Sequence, residues 1–230
     1  MFARNIFVVL SALLLSAAVQ AVSDDQNEKC EEWALRGECE TNPSYMHVSC
    51  STSCNKFSKS KNEIAEEIAH IASFFDLSAK DIDGNVIEFS KFHDQVTIVT
   101  NVASYCGRTD SHYMELVQIY TNFGKLALPV NILAFPCNQF GEQEPGSADD
   151  IKQFAADKGA RFTVMEKIDV NGRDASLIYK YLKYYTDIEM IHWNFDTYFI
   201  ITPEGAIKAY NEVQPLQLME SVFNLFPDEL

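Results

Sequence analysis

Two apolar runs dominate the middle of this chain, Val96-Thr97-Ile98-Val99-Thr100 and Val130-Asn131-Ile132-Leu133-Ala134-Phe135. Short runs rich in β-branched residues, with no polar alternation, predict strands buried on both faces of a parallel sheet. Between them Met114, Leu116, Val117 and Tyr120 recur at helical intervals. Ser147 with Asp150 predicts a capped helix through Ala156, and Ala175 to Tyr185 predicts another. Leu77 to Phe89 predicts a hairpin turning at Asp83-Gly84, and Thr197 to Tyr210 a second, turning at Pro203-Glu204-Gly205. Leu216 to Phe226 predicts a final helix. Further upstream, Ile64, Ile68 and Ile71 mark one helical face, either a helical linker or the first element of the larger domain. The order is a parallel β-α-β unit, then an antiparallel hairpin and a helix. That places the loops after both apolar strands at one edge of the sheet, where sites form in open α/β sheets.

The ends of the chain differ from this middle. Arg4 precedes an almost wholly apolar stretch, Ile6 to Val19, followed by the small-residue pattern Val19-Gln20-Ala21. This predicts a secretory signal over residues 1–21, cleaved after Ala21. The stretch is short of the roughly 20 residues that a membrane span needs. The chain closes on Pro227-Asp228-Glu229-Leu230, which keeps the last three residues of an endoplasmic reticulum retrieval signal and replaces its basic first position. Secretion and retention in the endoplasmic reticulum both stand open.

The net charge is −15, and removing Arg4 with the signal takes it to −16. Such a field opposes nucleic-acid binding and slows anionic substrates.

Four of six cysteines crowd into 25 positions, Cys30, Cys39, Cys50 and Cys54. In a secreted chain this predicts two disulfides standing in for a core too small to hold itself. Zinc is the competing possibility, but the spacings lack paired CxxC hooks, and no metal is expected. The pattern resembles the ShK-type (SXC) toxin domain over residues 22–57. That family has six cysteines; here Ser23 and Phe57 stand at the outer two positions, which pair with each other in the family. The resemblance implies the pairs Cys30–Cys50 and Cys39–Cys54. Channel-blocking members carry a Lys before the Tyr, and this chain has Ser44 before Tyr45, so channel block is not expected. The implied role is interaction with a partner that the sequence does not identify.

Chemistry concentrates after the two apolar strands. The first runs into Asn101-Val102-Ala103-Ser104-Tyr105-Cys106-Gly107. A thiol at a strand-to-helix turn faces free N–H groups and the helix dipole, and thiols so placed fall from a pKa of ~8.5 to about 3.5–7.5. Position alone leaves nucleophile and buried structural thiol equally open. The second strand runs into Phe135-Pro136-Cys137-Asn138-Gln139-Phe140-Gly141-Glu142-Gln143-Glu144-Pro145-Gly146, and further on stands Trp193-Asn194-Phe195. Together these three segments resemble the glutathione peroxidase family, from Ser73 to the C-terminus, leaving 58–72 as linker or helix. The resemblance implies a thioredoxin-like fold, which agrees with the element order. It implies that Cys106 is the peroxidatic residue, with Gln143, Trp193 and Asn194 as partners. Amide and indole N–H donors aimed at a sulfur favour its thiolate without giving up a proton. His192 reads as a solvated or core histidine.

The expected activity is reduction of hydrogen peroxide and organic hydroperoxides, with no bound cofactor. The segment between Tyr185 and Trp193 is short, as in compact, monomeric family members. Family members that use thioredoxin carry a resolving Cys in the helix after the second motif. Here that stretch is Gln153-Phe154-Ala155-Ala156, and Cys137 is expected to be structural. Glutathione is the expected co-substrate, with Arg108 a candidate for its carboxylate, and a thioredoxin or protein disulfide isomerase type of dithiol protein is the alternative. A non-catalytic binding protein built on the same fold is the rival from another class, separated by whether the protein consumes peroxide with any thiol.

Overall fold

A computed structural model describes residues 25–226 apart from 36 and 58. The signal segment, Ser23 and the Pro-Asp-Glu-Leu tail lie outside the described residues. Seven strands are present: β1 Ser78–Lys80, β2 Val86–Glu88, β3 Val96–Val102, β4 Val130–Pro136, β5 Thr163–Val164, β6 Thr197–Ile201 and β7 Ile207–Asn211. The last five form one sheet in the order β5-β4-β3-β6-β7. β3 pairs parallel with β4, from Val96 opposite Val130 to Val102 opposite Pro136, and antiparallel with β6, with Thr100 opposite Tyr198. β1 and β2 form the separate hairpin, turning through Gly84 at φ 82°.

Every residue of β3 is buried, because helices cover both faces of the sheet. Alternate residues feed two cores. Val99, Leu133, Phe135 and Phe199 pack under the helix Leu177–Thr186, with Ile68 and Ile71 beside them. Val96, Ile98, Ile132 and Ile200 pack under the helix Thr109–Lys125 and the C-terminal segment. The helix Lys61–Ile68 is closed by a capping box between Ser60 and Glu63, and its apolar face joins the first core.

Several expectations shift. The 109–125 helix buries Tyr113, Leu116, Ile119 and Phe123, whereas Met114 is exposed. Tyr113 and Ile119, not Met114, hold the core-facing stripe, and a helix with apolar residues on several sides needs the sheet to choose among them. The final helix is a 3-10 turn, Pro215–Leu218, followed by only Met219–Phe223. Pro215 starts this tighter turn, since its missing N–H is tolerated only at a helix start. The 148–157 helix begins as its Ser147–Asp150 capping box dictates.

Upstream, four short helices, Cys30–Leu35, Glu38–Thr41, Pro43–Ser49 and Ser51–Phe57, surround two disulfides, Cys30–Cys50 and Cys39–Cys54. All four cysteines and Met46 are buried, so the crosslinks are themselves the core of this module. Among the described residues, no helix is long and apolar enough to cross a membrane.

Candidate active site

The parallel pairing of β3 with β4 brings their C-terminal ends side by side, and antiparallel β6 begins at the same edge. Three loops therefore meet there. Cys106 sits in the turn between β3 and the 109–125 helix, two residues ahead of the helix cap at Arg108. The turn is fixed by Thr109, whose hydroxyl donates to the Ala103 carbonyl at 2.6 Å and accepts the Cys106 N–H at 3.1 Å. Cys106 is 8% exposed, beside the exposed Tyr105.

The second loop reaches this turn through its backbone: the Tyr105 N–H donates to the Gln143 carbonyl at 3.0 Å. Gly141 and Glu142 both take positive φ, 63° and 53°, and that double left-handed bend directs Gln143 back toward the sheet edge. The third loop is tied to β3 by the Phe195 N–H donating to the Asn101 carbonyl at 3.0 Å, with Phe195 itself at φ 58°. Non-glycine residues in this region cost of order 1–2 kcal/mol each and persist where the surroundings fix them.

The side chains form one polarised chain. Asn101 Nδ2 donates to Asn194 Oδ1 at 3.4 Å, and Asn194 Nδ2 donates to Gln143 Oε1 at 3.2 Å. That leaves the Gln143 amide nitrogen as the donor end. Asn194 is fully buried, whereas Trp193 is 38% exposed with its ring 5.8 Å from that of Phe140. The structure thus brings Gln143, Asn194 and the Cys106 turn together and holds Trp193 beside the second loop. His192 is exposed.

Arg108 donates to the buried carboxylate of Asp196 at 3.1 Å, tying the Cys106 turn to the third loop. A glutathione carboxylate at Arg108 would have to share the guanidinium with Asp196. Behind the turn, His112 Nδ1 lies 2.6 Å from the Tyr198 hydroxyl, and burial, then the nearby Arg108 charge, holds the imidazole below its ordinary range.

Cys137 sits on the other face of the sheet. It belongs to the core under the 177–186 helix, whereas Cys106 belongs to the core under the 109–125 helix. Burial pushes the Cys137 thiol up to about 12.

Sequence reasoning passed over Asn101, Asp196 and Glu144. Asn101 carried a signal, as a polar residue closing an apolar strand. Glu144 is wholly buried, with its N–H on Asn138 Oδ1 at 2.8 Å and its carbonyl on Lys167 Nζ at 2.8 Å. Neither carboxyl oxygen meets a partner in hydrogen-bonding geometry, although Ser104 of the Cys106 turn faces them. Burial raises this carboxyl above its ordinary range. Among the described residues no cluster of three or more His, Cys, Asp or Glu side chains is placed to hold a metal.

A thiol at the carboxyl edge of a thioredoxin-like sheet, backed by a chain of amide donors, defines a thiol-dependent redox protein. The glutathione peroxidase model matches residues 74–183, and the ShK domain-like model matches 22–56. The phospholipid hydroperoxide glutathione peroxidase of Sapajus apella is 42% identical over 154 residues, covering 64% of this chain and 77% of that one. The putative chloroplastic glutathione peroxidase 7 of Arabidopsis thaliana is 39% identical over 193 residues, covering 80% and 81%. Among solved structures, Trgpx in its apo form superposes with a TM-score of 0.57 at 31% identity, over 67% of this chain and 95% of that one. T. cruzi GPX1 gives 0.54 at 26%, over 66% and 95%. The chain belongs to the glutathione peroxidase family, and it carries an N-terminal ShK-like module with two disulfides.

Proposed function

We propose that Cys106 is the peroxidatic residue of a thiol peroxidase that reduces hydrogen peroxide and organic hydroperoxides within the secretory pathway. The observation that carries this reading is the amide chain from Asn101 through Asn194 to Gln143, whose backbone carbonyl accepts the Tyr105 N–H of the Cys106 turn. The Cys106 thiolate attacks a peroxide oxygen, the distal one in an organic hydroperoxide, the O–O bond breaks, and the leaving hydroxide or alkoxide takes a proton, giving sulfenic acid and water or an alcohol. Donors at Gln143, Asn194 and Trp193 support the thiolate and receive the charge as it moves to oxygen. Two thiols then return the sulfenic acid to thiol, with release of water and a disulfide.

The reductant is glutathione or a dithiol protein of the secretory pathway. The apolar leader and Ala21 support entry to that pathway, and Asp228-Glu229-Leu230 leaves retention in the endoplasmic reticulum and secretion equally open. Stopped-flow oxidation by hydrogen peroxide, followed by regeneration with glutathione, thioredoxin or protein disulfide isomerase, tests the whole reading. Peroxide consumption with at least one of these reductants is expected. Consumption with none would leave the non-catalytic scaffold.

A further inference from the structure

Asn171 lies between β5 and the 177–186 helix, outside all three site motifs, and is buried. Its side-chain amide takes up both backbone groups of one residue. Nδ2 donates to the Ile191 carbonyl at 2.7 Å, and Oδ1 accepts the Ile191 N–H at 3.0 Å. A residue in an antiparallel ladder exchanges these two bonds with its opposite, and a planar amide carries the donor and acceptor that replace them. Lys183 of the 177–186 helix donates to the same Oδ1 at 3.2 Å, which fixes the orientation of the amide. Residues 188–192 form neither helix nor strand, so the Asn171 bracket stands where no ladder does. The backbone of Asn171 is held in turn by the second loop. Gln139 Oε1 accepts the Val170 and Asn171 N–H groups at 2.8 and 2.9 Å, and Gln139 Nε2 donates to the Asn171 carbonyl at 3.0 Å. Gln139 precedes Phe140, whose ring lies 5.8 Å from that of Trp193. The contacts therefore close a circuit, from Trp193 back two residues to Ile191, across to Asn171, on to Gln139 and Phe140, and back to the indole. On its other side the Trp193 carbonyl accepts Asn101 Nδ2 at 3.3 Å.

Given the thiol peroxidase reading above, we infer that Asn171 is a positioning residue for Trp193, holding the indole at the carboxyl edge of the sheet while Cys106 attacks peroxide. Trp193 is partly exposed, so packing covers only part of its ring, and its place depends on the backbone holds on either side. Asn171→Ala leaves the Ile191 N–H and carbonyl, on a wholly buried residue, without the partners they have in wild type. The 188–192 segment then shifts toward water to satisfy them and carries Trp193 away from Phe140. A displacement of about 1 Å, caused far from the chemistry, can lower a rate on the order of a hundredfold. Asn171 exchanges no proton and touches no reacting atom in this reading; its whole effect passes through the indole.

The test reads the indole and the chemistry separately, in the full chain. The chain has two tryptophans, so a Trp33→Phe background leaves Trp193 as the sole indole, and acrylamide quenching of its fluorescence reports its exposure. Asn171→Ala should raise the quenching constant. It should also slow the oxidation of Cys106 by hydrogen peroxide, followed by mass as loss of thiol labelling at Cys106, by about ten- to hundredfold. In a Trp193→Phe variant the same Asn171→Ala change should slow oxidation by less than about threefold, because the group that Asn171 positions is already gone. Far-UV circular dichroism and a melting temperature above that of the assay establish that each variant is folded. Where Asn171→Ala is not, Asn171→Asp goes through the same comparison, since it keeps the acceptor for the Ile191 N–H and for Lys183 and loses only the donor. Unchanged quenching, an unchanged oxidation rate, or a loss as large in the Trp193→Phe background as with the indole present would each overturn the inference. Absence of Cys106 oxidation in wild type would instead overturn the underlying peroxidase reading, and quenching would still report whether Asn171 holds Trp193.

Discussion

Glu144 shows how much a single side chain depends on its surroundings. Its neighbours in the chain, Gln143 and Pro145, lie in a loop, yet the residue is wholly buried, with Ser104 of the Cys106 turn facing its carboxyl. Unfolded, a glutamate titrates near 4.3; folded, burial raises this one. Above pH ~4.3 the unfolded chain therefore releases a proton that the folded chain still holds, and stability declines as pH rises until the folded carboxyl also ionises. Glu144→Gln has no such proton. Its stability relative to wild type should be greater at pH 7 than at pH 4.5, as read from denaturant midpoints at the two values. An unchanged difference would show that the carboxyl is not held neutral. At Cys106 the expectation is sharper: Cys106→Ser should lower peroxide consumption by about a thousandfold or more while far-UV circular dichroism and the melting temperature stay near wild type. Activity retained above a few per cent would assign the nucleophile elsewhere.

At the scale of elements, the cysteine module and the sheet are held by different means. The module's interior is largely sulfur, and a crosslink closing a loop of this size contributes about 3 kcal/mol in the chain-entropy model. The peroxidase domain has two aliphatic and aromatic cores and needs no crosslink. Mild reduction should therefore unfold the module first. Differential scanning calorimetry is expected to lose a separate module transition, or its contribution to the trace, while the main transition remains. Native protein should titrate two free thiols, Cys106 and Cys137, both of them buried. Four or six free thiols in the native state would contradict the crosslinked module.

For the whole molecule, the decisive relation is between the two free thiols. They follow adjacent parallel strands, and in the chain both look like candidates for one redox pair. The sheet places them in different cores, and burial makes Cys137 a poor thiolate. After one equivalent of peroxide, peptide mass mapping should find no Cys106–Cys137 disulfide, and Cys137→Ala should turn over with any productive reductant near the wild-type rate. A trapped crosslink would require the sheet edge to open, and it would make a dithiol protein the natural reductant.

The sequence alone determined the strands β3 and β4, because runs buried on both faces are apolar throughout, and the 148–157 helix, because its capping box is local. It also held the three motifs whose resemblance to the glutathione peroxidase family singles out the segments from which the site is proposed. Tertiary structure decided what local pattern leaves open. The 109–125 helix has apolar residues on several sides, and only the sheet selects Tyr113 and Ile119 over Met114. Arg108 reads as an exposed cation until the fold sets the Asp196 carboxylate beside it, 88 residues away. Asn101 meets Asn194 across 93 residues, and Glu38 faces the Gly141 loop across a cleft; both depend on chain segments that no window of sequence spans. Periodicity records which face of an element is buried, whereas a site is made where several elements end, and that meeting is fixed by strand order and register.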